Sequence, residues 1–172
     1  MDKPEQRYAF HWDLIGDVDA REHLGPFVRV EMYRLMQLCF RDILEKHYGT
    51  EHADVLFRDA GRLAGEQFYA RFLSEEVDLS AFVTKTQKTL RELGIGILRI
   101  EEADLEQGKL VLTVDEDLDC SGLPILDYEL CAYDEGFLEG VLGSYAKRTF
   151  RVRETDCWCT GARTCRFTAE AV

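Results

Sequence analysis

The sequence predicts an α+β domain, an antiparallel sheet with helices packed on it. Three observations carry this. Helical-period segments fill the first half, the apolar period switches to alternation after Gly94, and the second half runs hairpin, helix, hairpin. The regular strand-helix alternation of a parallel sheet is absent. With 172 residues, 46% of them apolar, the chain suits one packed core. Residues 30–172 are expected to form a single domain and residues 1–29 an arm packed on it, since Gly16, Gly25 and Pro26 interrupt any period there.

From Val30, the positions Met32, Leu35, Met36, Cys39, Phe40, Ile43 and Leu44 recur at three and four residues until Gly49, the spacing of one helical face. Cys39 on that face reads as a small core residue. A second helix follows with Ala53, Leu56, Phe57, Ala60, Leu63, Ala64, Phe68 and Phe72; Gly61 and Gly65 stack on one side and permit close approach of a backbone or ligand. Asp78 or Ser80 caps a third helix that reaches Gly94. Strands near 96–102 and 109–115 flank a turn at Gly108, a helix is expected over 127–145, and "RTFRVRE" and "TCRFTAEA" supply a closing pair of strands.

Composition narrows the function classes. Twenty-one basic against thirty-three acidic residues leave a net charge of −12, which disfavours nucleic acid and anionic membrane surfaces as partners. The first residues lack a secretory signal and no apolar run reaches a membrane span, so the expected location is cytoplasmic, where thiols stay reduced. No effector segment follows Val172, so any output is expected to pass through a separate signalling protein.

The segment "ETDCWCTGARTC", residues 154–165, concentrates three of the six cysteines. A hairpin brings the ends of its loop together, so Glu154, Cys157 and Cys165 converge, and Cys131 at the start of the preceding helix closes the set from above. Four protein ligands suit a structural zinc ion and leave no open position for water. Spacing alone leaves Glu154 and Cys159 as equal candidates for the fourth donor. Arg151, Arg153, Arg163 and Arg166 lie nearby and are expected to offset the negative charge of such a site. The competing readings are plain buried thiols and a redox switch at Cys157 and Cys159.

"CAYDEGFLEGVLG" followed by "FRVRETDCWCTGARTCRF" resembles the signature of the 4-vinyl reductase domain family, shared with the sensory domains of aromatic-responsive bacterial activators and with proteins of bacteriochlorophyll synthesis. The resemblance is strongest over residues 126–169, and "YRLMQLCFRDIL" and "AGRLAGEQF" are similar to the first half of stand-alone members. It implies a fold like that of vesicle-tethering subunits, usually dimeric, with an apolar cavity between helices and sheet. It also implies zinc on Cys131, Glu154, Cys157 and Cys165, which favours Glu154 and makes Cys159 a departure. The family's phenol sensors grip a hydroxyl with His and Trp from the middle of the domain. Residues 80–130 here contain neither, so phenol is a poor fit. A small apolar or aromatic molecule is expected instead, in a pocket lined by residues such as Phe68, Phe72, Phe82, Ile97, Leu110 and Leu112.

The expected function is therefore a non-enzymatic, zinc-stabilised sensory domain that signals through dimer geometry. A tetrapyrrole-handling or reductase role is the alternative, without a visible nicotinamide or flavin motif. "DEDLDCSG" spaces Asp115, Asp117 and Asp119 as a calcium loop does, but Cys120 and Leu126 stand where Gly and Glu are needed, so it reads as a solvated acidic turn. "GIGI" lacks the rest of a dinucleotide fingerprint. Asp134, Glu135 and Glu139 read as the wet face of their helix, not as acid and base, and Gly136, Gly140 and Gly143 as small residues for packing on the sheet or on a second subunit.

Overall fold

In a computed structural model of the chain, residues 7–75, 78–104 and 106–172 are described. Helix α1 (Val30–Tyr48) stops at Gly49, whose φ of +81° suits glycine and whose N–H bonds the Glu45 carbonyl at 2.9 Å. Helix α2 (Thr50–Phe68) starts at once and runs into a π-helical turn, Tyr69–Leu73. Helix α3 (Leu79–Glu92) is capped by Asp78, which accepts the Ala81 N–H at 3.0 Å. Strands β1 (Ile97–Asp104) and β2 (Lys109–Asp115) form the first hairpin, α4 (Ala132–Ala146) follows, and β3 (Phe150–Asp156) and β4 (Cys165–Ala171) form the second.

The four strands make one antiparallel sheet in the order β1-β2-β4-β3. Its apolar face, with Leu110, Leu112, Val152, Phe167 and Ala169, shares one buried cluster with Leu138, Val141 and Leu142 of α4. Helix α4 begins five residues later than expected. Asp127 has a φ of +62°, incompatible with a helix, and the N–H groups of Leu126 and Asp127 go instead to the Cys159 carbonyl.

Helices α2 and α4 cross through glycine. A Cβ on Gly61 would collide with the Tyr133 carbonyl and one on Gly65 with that of Phe137; reciprocally, Gly136 and Gly140 lie against the Arg58 and Arg62 carbonyls. The close approach expected of Gly61 and Gly65 is thus to α4, and Gly136 and Gly140 face α2. It brings the carboxylates of α4 within reach of α2 and β3. Glu135 pairs with Arg58 and Glu139 with Arg62, while Glu139 Oε1 accepts the Val152 N–H at 3.1 Å and Glu135 Oε1 the Glu154 N–H at 2.8 Å. The expected wet face is therefore corrected. Both glutamates are buried, because glycines on the neighbouring turns leave room for them to close the free edge of β3.

Helix α1 turns the other way. Met32, Leu35, Met36, Phe40 and Ile43 are half to three-fifths exposed and Cys39 is exposed, which overturns the core reading of that cysteine. The inward face is polar. Arg41, buried, pairs with Asp54 at 2.7 Å and Glu45 at 3.1 Å and donates to the Leu130 carbonyl at 3.3 Å. Of the arm, residues 1–6 lie outside the described residues. The remainder forms two short 3-10 turns, Trp12–Ile15 and Val18–Ala20, and Trp12 packs edge-on against Phe72 with ring centroids 5.2 Å apart. Among the described residues no helix is long and apolar enough to cross a membrane.

Candidate functional site

Four sulfurs meet where α4, the β3–β4 connection and the β2–α4 loop converge. Cys131 occupies the N-cap of α4, Cys157 directly follows β3, Cys165 opens β4, and Cys120 comes from the loop after β2. Their Sγ atoms all lie within 4.8 Å of one another. Cys131 stands 3.8 Å from both Cys157 and Cys165, and Cys120 stands 3.0 Å from Cys165. None is more than 1% exposed, and all six cysteines of the chain are free thiols.

Each position has a local cause. A bulge between Glu154 and Asp156 ends the regular pairing of β3 with β4. The chain then folds into a 3-10 turn, Trp158–Thr160, with the Thr160 and Ala162 N–H groups both bonded to the Cys157 carbonyl at 3.1 Å. The turn is stitched to the β2–α4 loop, since Trp158 Nε1 donates to the Leu123 carbonyl at 3.0 Å and Leu126 N–H to the Cys159 carbonyl at 2.8 Å.

The cluster is electrostatically tense without a cation. Hydrogen bonds from Cys120, Cys131 and Cys165 push the Cys157 thiol far down, making it the thiolate of the group. Cys131 moves the opposite way, through its hydrogen bonds to Cys120, Cys157 and Cys165 and through burial. Glu154 faces this charge. Both its oxygens are shut off from solvent and have no hydrogen-bond partner, and burial, then the Cys165 and Cys157 sulfurs, push the carboxyl up to about 11. An orphaned carboxylate beside convergent sulfurs fits the chemistry of a bound divalent ion, which accepts both donor types.

Of the residues expected as ligands, Cys131, Cys157 and Cys165 are together and Glu154 is adjacent. Cys159 is buried, but its sulfur is outside the group of four, and burial pushes its thiol up to about 12. Cys120 was missed. It sits in the acidic segment that reads as a wet turn, and that reading is corrected too. Asp117 and Asp119 are buried, with Asp117 Oδ1 accepting the Asp119 N–H at 2.7 Å and the Cys120 N–H at 3.1 Å. Arg34 of α1 holds the same loop through the carbonyls of Leu118 and Ser121 at 2.8 and 2.9 Å. The arginines expected beside the ligands are elsewhere. Strand alternation turns Arg151 and Arg153 outward, Arg163 is exposed, and Arg166 pairs with Glu101 and Asp156.

The six residues expected to line a pocket are spread over three places. Phe82 and Leu110 share an apolar cavity of about 40 Å³ with Leu79, Val83, Leu142 and Tyr145, between α3, α4 and the sheet. Phe68 and Phe72 pack on each other and on Phe137 and Trp12. Ile97 lines an open groove with Thr84 and Arg91, and Leu112 is in the core.

An α+β domain whose last helix and last hairpin enclose a cluster of thiols is the class defined so far. Residues 110–171 match the family model of the 4-vinyl reductase domain, and the chain carries that domain. Across its length it is similar to an uncharacterized protein of Methanocaldococcus jannaschii, 22% identical over 90% of this chain and 83% of the relative. Its fold is similar to that of a vinyl-4-reductase family protein from the same organism, with a TM-score of 0.63, 15% identity and 93% of each chain covered. The phenol-responsive sensory domain of the transcription activator PoxR, in a crystal structure with phenol, aligns with a TM-score of 0.62 at 14% identity, over 84% of this chain and 75% of that one.

Proposed function

We propose that the chain is a small-molecule sensory domain stabilised by a structural zinc ion and acting as a homodimer through a separate signalling protein. The metal reading rests on the thiol cluster. Zinc–sulfur bonds of about 2.3 Å around a tetrahedral ion put the sulfurs about 3.8 Å apart, and Cys131 has that separation from both Cys157 and Cys165. These three are the common donors, and the family resemblance gives Glu154 as the fourth. With every position filled by protein, the ion would hold α4 to the closing hairpin and the loop before it.

The ligand would be a small apolar or aromatic molecule, in keeping with the phenol held by the similar PoxR domain. Its site would be the cavity at Phe82 and Leu110. At about 40 Å³ it is smaller than the roughly 150 Å³ of an engineered cavity that holds benzene. Entry therefore requires the stacked Phe82 and Tyr145 rings, 3.9 Å apart, to separate. Such a displacement moves α3 against α4, whose first turn carries Cys131. Dimerisation is supported by the inverted polarity of α1, whose apolar stripe faces away from its own core.

Native mass spectrometry of the purified chain tests the reading, with one zinc per chain and a dimeric mass expected. Titration with toluene should raise the melting temperature of the wild type and leave that of Val83→Phe, which fills the cavity, unchanged. A metal-free monomer with no response to toluene would overturn the proposal.

A further inference from the structure

We infer that Cys120 is the fourth metal ligand, so that the ion is held by sulfur alone, with Glu154 beside the coordination sphere. This rests on the metal reading above and departs from it in the donor set. The four mutually close donor atoms are the sulfurs of Cys120, Cys131, Cys157 and Cys165, and no oxygen of Glu154 belongs to that set.

The placement of Cys120 is built. A thiol that merely fills space needs a cavity, whereas this one is fixed from three sides. Asp117 Oδ1 holds its N–H at 3.1 Å, Arg34 grips the carbonyls of Leu118 and Ser121 on either flank, and the Tyr33 hydroxyl donates to Asp119 at 2.8 Å. The Leu118 N–H also bonds the Ile95 carbonyl at 2.9 Å, tying the loop to the approach of β1. The resulting Cys120 Sγ is 3.0 Å from Cys165 and fully buried. It therefore lies inside any sphere that contains the other three sulfurs.

Two consequences separate this set from one with a carboxylate. Four thiolates favour soft, thiophilic ions over those that prefer oxygen. They also connect the ion to α1, because the loop bearing Cys120 is the segment that Tyr33 and Arg34 hold.

Zinc-edge X-ray absorption on the zinc-loaded full chain decides the matter on wild-type protein. The expected result is four sulfurs at about 2.3 Å and no oxygen shell at about 2.0–2.2 Å. Cys120→Ser should lose one sulfur, and Glu154→Gln should leave the sulfur count unchanged. Three sulfurs and one oxygen in the wild type, with that oxygen lost in Glu154→Gln, would overturn the assignment while leaving the metal reading intact. A chain that takes up no zinc would overturn both.

Discussion

The Glu154 N–H donates to Glu135 Oε1 at 2.8 Å, so a carboxylate from α4 seals the edge strand at the residue whose own side chain faces the thiol cluster. The same Glu135 pairs with Arg58 of α2. One buried side chain thus joins two helices and the sheet beside the candidate ligands. Glu135→Ala would leave the Arg58 guanidinium and the strand N–H unpaired, at a cost of about 1–3 kcal/mol. Urea unfolding should show a lower midpoint, with Glu135→Gln largely restoring it because it keeps the acceptor oxygen. Equal loss in both variants would mean that the ion pair, not the edge, carries the effect.

The glycine crossing makes a steric prediction. Gly61→Ala or Gly136→Ala would force a methyl group onto a carbonyl of the opposite helix, and overpacking of this kind costs about 1–3 kcal/mol, occasionally more. Thermal melts should show the loss at both positions. Gly122→Ala, where a Cβ meets nothing within 4 Å but φ is +86°, isolates the backbone penalty from the clash.

Metal removal should loosen one region first. Structural zinc contributes about 10–16 kcal/mol of apparent binding energy in small peptides, comparable with the stability of a whole domain. Chelation should lower the melting temperature and accelerate amide exchange at Leu126, Asp127 and Ala162, whose N–H groups bond the carbonyls of Cys159 and Cys157. An unchanged exchange pattern would count against the ion as a structural element.

Burial, then the charge of Asp119, raises Asp117 from 3.8 to about 7. The folded chain therefore binds a proton there that the unfolded chain has already released, so this group makes stability fall as pH rises from about 4 to about 7. Asp117→Asn removes that dependence while keeping an acceptor for the Asp119 and Cys120 N–H groups. The stability of the variant relative to wild type should grow across that window and level off above it. A difference that stays constant from about pH 4 to about pH 8 in denaturant titrations would show that Asp117 titrates normally.

The stripe on α1 predicts an interface. Burying the exposed half of Met32, Leu35, Met36, Phe40 and Ile43 would contribute about 1 kcal/mol per residue. Phe40→Glu should shift sedimentation from dimer to monomer without altering the zinc content. An unaffected dimer would place the contact elsewhere.

Much of this was legible in the residues. Val30 and Gly49 bounded α1, Asp78 capped α3, and the alternation around Gly108 gave the first hairpin, since these signals act over a few neighbouring positions. Three of the four clustered cysteines were found because a hairpin and the start of a helix fix their spacing. Cys120 escaped because it reaches the cluster through a long loop held by Arg34 and Tyr33, more than eighty residues earlier in sequence. Periodicity also gave the stripe on α1 but not its direction, because which side of a helix turns inward depends on what the rest of the chain offers it. The carboxylates of α4 were misread for a related reason: only the glycine crossing brings partners close enough to take them in.

The candidate donors span 45 positions from Cys120 to Cys165, and the two furthest along, Cys157 and Cys165, are the last to be synthesised. Capture of an ion by the full set can therefore happen only after the preceding helix and its final hairpin have left the ribosome. Until then the nascent domain would carry a reduced, uncapped group of thiols, which makes the interval between translation and metal uptake the period of greatest exposure to oxidants and aggregation.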